Sequence, residues 1–153
     1  MFLVAGIALL FFYRTSVVKH LVFYNSDTAE FGGVSLILDY ATTDAERERG
    51  LGGRANVPYD YGMLFVFPRE GKYGFWMKDM LVPVDIFWLD GKGQVIYMEI
   101  DVATSTFPTV FYPVQPATYV LETTAGFAQA HNIATGTPLI LRNGLQSLPS
   151  ITK

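Results

Sequence analysis

The stretch GFWMKDMLVPVDIFWLD, residues 74 to 90, places charged side chains among tryptophans, phenylalanines and aliphatic residues. The side chains that could do chemistry are Lys78, Asp79 and Asp85. A charge in such surroundings must be paired, hydrated in a cleft or used in chemistry, because burying an isolated charge is costly. On a strand, alternation places Trp76 and Lys78 on the same side. An aromatic surface beside a few charges is typical of a site for a polar ligand.

Residues 79 to 83 are expected to turn the chain, so that the segments on either side form a hairpin. In that hairpin Lys78 and Asp85 would meet beside Trp76, although the sequence does not fix the register of the two strands. Two structural roles stay open for these charges. Lys78 and Asp85 would form an ion pair that fixes the register, or Asp85 would bond to backbone amides of its own turn, as aspartates near prolines often do.

A second group of charges lies in ERERGLGGR, residues 46 to 54. Most of these charges are expected on the solvated face of a short helix. Arg49 and Arg54 differ, because the glycines around them allow the backbone to approach another element or a ligand closely. The planar guanidinium group suits carboxylates and phosphates. Both arginines are therefore candidates to bind an anionic ligand or a buried aspartate.

Acid–base chemistry would have to use Lys78 and the carboxylates of Asp79, Asp85 and Glu122, since two carboxylates in different environments can divide the acid and base roles. The sequence has no cysteine and two histidines that lack the spacing of a metal site. No nucleotide-binding glycine motif occurs either. We therefore expect neither a metal nor another cofactor. The candidate ligand-binding residues are Arg49, Arg54, Trp76, Lys78, Asp79, Asp85 and Glu122.

Short strands are the elements that must position these side chains. Strand patterns occupy residues 34–40, 62–67, 72–78, 84–90, 94–100, 118–122 and 138–142. Thr43 and Glu46 have the spacing of a capping box for a helix of about two turns, and residues 123–133 predict a second helix, capped by Thr123 or Thr124. The expected fold is mainly β, in the α+β class: a small, mostly antiparallel sheet, curled or closed into a barrel, with two short helices.

The 153 residues are enough for one domain, which we place at residues 34–145, between a linker at 25–33 and a tail at 146–153. Residues 1–24 begin with an uncharged apolar run and predict a signal peptide or a membrane anchor. We therefore expect a membrane-tethered or exported protein on the extracytoplasmic side, with its orientation left open. The net charge of −3 and the lack of a basic cluster argue against a nucleic-acid partner.

The segments TDAERERGLGGR, GMLFVF, FWMKDMLVPVDIFWLD and YVLETTAG, in this order, resemble the family called domain of unknown function 192. The resemblance covers residues 34–142 and implies a compact, largely β domain that often follows a signal sequence or a lipid anchor. Members of the family usually have asparagine where this chain has Asp79. The resemblance implies no activity.

Three functions follow from these residues as hypotheses. The first is a binding module for a small polar ligand or a partner segment, because aromatic residues stand beside a few charges without a recognisable nucleophile. The second is a docking or structural domain of an envelope complex. The third is a small hydrolase or lyase that uses lysine and carboxylate acid–base pairs.

Overall fold

The computed structural model describes residues 27–145 and residue 148. The strands are β1 (Asp27–Phe31), β2 (Val34–Ala41), β3 (Tyr61–Gly71), β4 (Phe75–Trp76), β5 (Val84–Leu89), β6 (Val95–Val102), β7 (Val110–Phe111), β8 (Ala117–Thr124) and β9 (Leu139–Leu141). The helices are α1 (Asp44–Arg49) and α2 (Phe127–Ala130), together with a single 3-10 turn at Thr104–Thr106. The prediction of a mainly β fold with two short helices is confirmed.

Seven strands form one curled sheet in the order β6-β5-β8-β3-β2-β1-β9. All neighbouring pairs are antiparallel except β2 and β3, which are parallel. The start of β6 reaches the chain just before β9, since the Val95 amide donates to the Thr137 carbonyl at 3.0 Å. The sheet is therefore a half-barrel, as the mostly antiparallel, curled prediction anticipated.

Both faces of the central strands are buried, because side chains alternate across a strand. On β5, Phe87 packs into one apolar cluster with Phe31, Leu38 and Phe127. Its neighbour Trp88 packs into a second cluster on the opposite face. The second cluster includes Phe65 on β3 and Phe75 on β4, so the small β4–β7 sheet and the segment after α1 cover this face.

The predicted hairpin between the segments around Lys78 and Asp85 is wrong. β4 pairs with β7, where Trp76 lies opposite Val110. β5 instead pairs with β6 and β8 in the large sheet. The connection from residue 77 to 83 therefore carries the chain from one sheet to the other.

Three boundaries also differ from the predictions. Residues 27–31 of the predicted linker form β1, because Ala29 and Phe31 contribute to the core. The strand predicted at 72–78 shortens to Phe75–Trp76. Helix α2 begins at Phe127, after Gly126 in the left-handed region, whereas the predicted caps Thr123 and Thr124 end β8.

The predictions for residues 1–24, and for all of the tail except residue 148, concern residues outside the described part of the chain. Within the described part, no helix is long and apolar enough to span a membrane.

Candidate functional site

A pocket of about 290 Å³ opens between the end of α1 and the β4 segment, on the face of the sheet that carries Trp88. It brings together four of the predicted site residues: Arg49, Trp76, Lys78 and Glu122. The rest of its lining consists of Asp44, Arg47, Glu48, Gly50, Leu51, Phe65, Phe67, Tyr73, Gly74, Phe75 and Met80.

Glu122 is the buried polar group of this pocket. It lies in β8 opposite Met63 and Ile86, and is only 4% exposed. Among the described residues, its Oε2 atom has no hydrogen-bond partner. Burial raises the pKa of the Glu122 carboxyl from 4.5 to about 8, and a backbone hydrogen bond from Leu51 offsets only part of this rise. Glu122 is therefore protonated at neutral pH and offers an O–H donor to the pocket.

Helix α1 positions the rim above Glu122. Its capping box is complete, because the Thr43 hydroxyl accepts from the Glu46 amide at 3.2 Å and Glu46 Oε2 accepts from the Thr43 amide at 2.9 Å. Backbone hydrogen bonds from Thr42 and Thr43 lower the pKa of Glu46. The predicted capping box is confirmed, and it sets where the last helical residue, Arg49, emerges.

Gly50 ends α1 with a φ of +49°, a conformation that side chains other than glycine rarely adopt. A Cβ atom at this position would lie 3.2 Å from Phe65 Cζ and 3.6 Å from Glu122 Oε2. The glycine therefore lets the backbone pass close to the orphaned carboxyl oxygen and leaves room beside it.

The cations at the rim differ in how they are held. The Arg47 guanidinium donates to the Thr42 and Val66 carbonyls and pairs with Asp44 at 2.6 Å. Lys78 Nζ pairs with Glu48 at 2.9 Å.

The hydrogen bond from Lys78 to Glu48 raises the pKa of Lys78. Arg49, by contrast, makes no side-chain hydrogen bond or ion pair within the described residues.

Aromatic side chains make the walls. Phe75 packs edge-to-face on Phe65, with ring centroids 4.8 Å apart, and Phe67 stacks on Tyr73. Trp76 remains 37% exposed. The alternation predicted for this segment is confirmed, since Phe75 and Met77 are buried whereas Trp76 and Lys78 are exposed.

Asp85 lies outside the pocket. Its side chain shares a face of β5 with Phe87, whereas Glu122 lies opposite Ile86 and shares the other face. The Asp85 carboxylate accepts from the backbone amides of Asp101 and Ala128 at 2.7 Å, and of Gly126 at 3.3 Å. Backbone bonding was one predicted role, but the amides come from segments 16 to 43 residues away and not from its own turn.

Arg54 is also outside the pocket. It pairs with Asp39 at 3.0 Å, and its guanidinium lies over the Tyr61 ring. The Tyr61 hydroxyl donates to the same carboxylate at 2.6 Å. Of the two roles predicted for Arg54, it therefore has that of pairing with an aspartate, and it acts as a structural residue.

Asp79 is exposed and has a φ of +58°. Asparagine and aspartate tolerate this left-handed conformation better than most residues. Its carbonyl accepts from the Gly53 amide at 2.8 Å, so the position is constrained through the backbone. The backbone conformation therefore suits aspartate or asparagine at this position, and Asp79 is not part of the pocket lining.

The acid–base pair hypothesis is wrong for Asp85 and Glu122, because the two carboxylates project from opposite faces of the sheet. Within the described residues, no group of three or more histidine, cysteine or acidic side chains could hold a metal ion. Glu122 therefore stands as a single protonated carboxyl group beside apolar walls. Sequence reasoning missed the wall residues Phe65, Phe67 and Tyr73, because their patterns are those of ordinary core strands.

Residues 27–141 match the family domain of unknown function 192, DUF192, which is described as "Uncharacterized ACR". The chain belongs to the DUF192 family. No curated protein matches the chain.

Two crystal structures show the same fold. A protein from Sinorhizobium meliloti 1021, provisionally described as a transcription regulator, is similar with a TM-score of 0.70 and 22% identity, covering 76% of this chain and 93% of its own. A protein of unknown function from Novosphingobium aromaticivorans DSM 12444 has a TM-score of 0.66 and 24% identity, covering 74% and 81%. At these identities the similarity concerns the fold alone.

Proposed function

We propose that this DUF192 protein is a binding module for a small polar ligand, exported or tethered to the membrane, and that the ligand occupies the Glu122 pocket. The observation that carries this proposal is the buried Oε2 atom of Glu122, which has no hydrogen-bond partner within the described part of the chain. Buried polar groups are nearly always hydrogen-bonded, since leaving one unsatisfied costs roughly 1–3 kcal/mol. A ligand with an acceptor oxygen or nitrogen would supply the missing partner.

The form of the pocket supports binding rather than chemistry. Its volume is at the low end of the range for small-molecule sites, and its walls are aromatic with a few polar groups. The rigid strands β3 and β8 carry Phe65 and Glu122. The other two carboxylates of the described lining, Asp44 and Glu48, are both in ion pairs. Neither is therefore free to act with Glu122 as an acid–base pair.

A thermal-shift screen tests the proposal. The wild-type protein and the Glu122→Met variant are heated with a library of small neutral, anionic and cationic compounds. A compound at about 100 times its dissociation constant adds about 2.7 kcal/mol of stability, which raises Tm by several degrees in a domain of this size. The rise should be lost in Glu122→Met and retained in the control Glu30→Gln, an exposed residue on β1 outside the pocket.

The same compounds are then mapped by amide chemical-shift changes. Changes centred on residues 49–51 and 75–78 support the proposal. A library without any Glu122-dependent hit, or hits that map only elsewhere, would contradict it.

A docking role is the second candidate, because the loop before β8 exposes the large apolar side chains of Phe107, Tyr112 and Val114. A photo-crosslinking residue at position 114 should then give a discrete adduct in cells, whereas the same residue at position 30 should not. Absence of an adduct at position 114 would argue against this candidate.

A further inference from the structure

The Arg49 guanidinium at the pocket mouth, unpaired among the described residues, indicates the sign of the charge that a ligand would carry. The lining contains three cations, and two of them are neutralised within the rim by Asp44 and Glu48. The third, Arg49, has no ion pair within the described residues. Asp79 acts on Lys78 from outside the lining and forms no ion pair with Arg49. The Arg49 guanidinium is therefore the cation of the described lining whose donors are free to bind a negatively charged group.

The chemistry of Arg49 narrows the kind of anion. A guanidinium group presents a planar fork of donors, which binds a carboxylate through two parallel hydrogen bonds. A dianion such as a phosphate monoester would find only one free cation here and would keep a net negative charge.

The far end of the ligand is set by Glu122. A protonated carboxyl group donates one hydrogen bond. Its natural partner is a neutral acceptor, such as a carbonyl or hydroxyl oxygen. Because Gly50 has no side chain, the space next to Oε2 stays open for this group. The aromatic residues of the lining favour a ligand that also has a flat or apolar part.

We propose that the pocket binds a small organic carboxylate, whose anion pairs with Arg49 at the mouth and whose second, neutral oxygen accepts a hydrogen bond from Glu122. This inference rests on the proposed binding function and adds the chemical class of the ligand.

Four matched probes test it by calorimetry and amide chemical shifts. 4-Acetylbenzoate carries both the carboxylate and the neutral carbonyl on a flat ring. 4-Ethylbenzoate lacks the carbonyl oxygen, 4-acetylbenzamide lacks the charge, and 4-acetylbenzylamine reverses the charge. We expect 4-acetylbenzoate to bind most tightly, and the loss of either polar end to weaken binding by about three- to tenfold, the value of one hydrogen bond.

Variants assign each end of the probe to its residue. Arg49→Gln should remove the preference for the acid over the amide, whereas the charge-matched control Arg142→Gln, at an exposed position outside the pocket, should keep it. Glu122→Met should remove the preference for the acetyl over the ethyl compound. Glu122→Gln, which keeps an N–H donor, should preserve that preference. A preserved preference would also show that its loss in Glu122→Met does not come from a failure to fold.

Several results would overturn the inference. It fails if the amide or the amine binds as tightly as the acid, if Arg49→Gln leaves the acid preference intact, or if no carboxylate probe shifts the pocket resonances. If an amine binds and its binding requires Glu122, the proposed ligand class is refuted, whereas the proposed binding function is still supported. If no compound of any charge in the wider library binds in a Glu122-dependent way, the binding function fails as well.

Discussion

Asp85 and Glu122 are two buried carboxyl groups on neighbouring strands, and their surroundings differ. Asp85 lies opposite Thr123 and Glu122 lies opposite Ile86 in the β5–β8 pair. Their exposures are 0% and 4%. The Asp85 carboxylate accepts hydrogen bonds from three backbone amides, whereas Glu122 Oε2 accepts none from the residues that the structure describes. This difference in hydrogen bonding is the reason for proposing Glu122, and not Asp85, as a ligand-binding residue.

The two groups have opposite effects on the fold. Asp85 joins the end of β6 to the start of α2, because its partners are the amides of Asp101, Gly126 and Ala128. Hydrogen bonds to a charged group are stronger than neutral ones. Glu122 contributes no comparable bond through Oε2 and faces a pocket. Asp85 is therefore a structural residue, whereas Glu122 is the residue that we propose for ligand binding.

The Asp85→Asn substitution should have the largest effect. The amide side chain keeps one oxygen but turns an N–H group towards backbone N–H donors, so that at least one buried donor loses its acceptor. We expect a loss of about 3–5 kcal/mol in the free energy of unfolding. Urea denaturation measures it. The control Asp79→Asn should be nearly neutral, because the left-handed backbone at residue 79 suits asparagine. An unchanged urea midpoint for Asp85→Asn would show that the hydrogen bonds of Asp85 do not stabilise the fold.

The pH dependence of stability should follow Glu122. Its pKa in the folded protein, about 8, is above the ordinary value of 4.5, so the folded state holds this proton more tightly. The stability due to that proton is complete below pH 4.5 and is lost as the pH rises through 8.

Between pH 5 and pH 7 the loss should be on the order of 2 kcal/mol. The charged groups on the pocket lining are Asp44, Arg47, Glu48, Arg49 and Lys78, and they are the same in wild type and variant. Denaturation of both proteins at the two pH values should show the loss in wild type and not in Glu122→Gln. If the free energy of unfolding changes equally with pH in both proteins, Glu122 is not the group responsible.

The Glu122→Met substitution at pH 5 should give a smaller effect of the opposite sign to Asp85→Asn. An apolar side chain of similar length removes an unsatisfied polar atom, so we expect the free energy of unfolding to rise by about 1 kcal/mol. Urea denaturation checks this value, with the exposed Glu70→Met as control. A clear loss of stability would mean that Glu122 is held by bonds like those of Asp85.

The Lys78→Met substitution should have the smallest effect on stability. The ion pair between Lys78 and Glu48 is exposed, and solvent screens such pairs strongly. We expect the midpoint of urea denaturation to change little, and still less in high salt, where the pair is screened further. A change as large as that of Asp85→Asn would show that the rim is part of the folding core.

Local signals in the sequence predicted the parts of the fold that depend on neighbouring residues. The capping box of Thr43 and Glu46 is confirmed, because it is formed by residues three positions apart. Alternation likewise placed Phe75 and Trp76 on opposite faces, because successive side chains on a strand point to opposite sides.

The parts of the fold that were not predicted depend on contacts between residues far apart in the sequence. β4 pairs with β7, more than 30 residues later, and this pairing separates Lys78 from Asp85. The three amides that hold Asp85 come from two other segments. The residues that surround Glu122 come from α1, the turn after it and β4, all distant from β8 in the sequence. The sequence around Glu122 therefore does not indicate whether its side chain has a hydrogen-bond partner.

The most direct test of this account is the titration of the Glu122 side chain, followed by the carboxyl ¹³C shift in NMR and assigned with the Glu122→Gln variant. We expect a pKa of about 8, because burial removes water from the Glu122 carboxyl group and the hydrogen bond from the Leu51 backbone offsets only part of that effect. A midpoint near the ordinary 4.5 would contradict it, since Glu122 would then be an ionised and well-solvated or paired group at neutral pH.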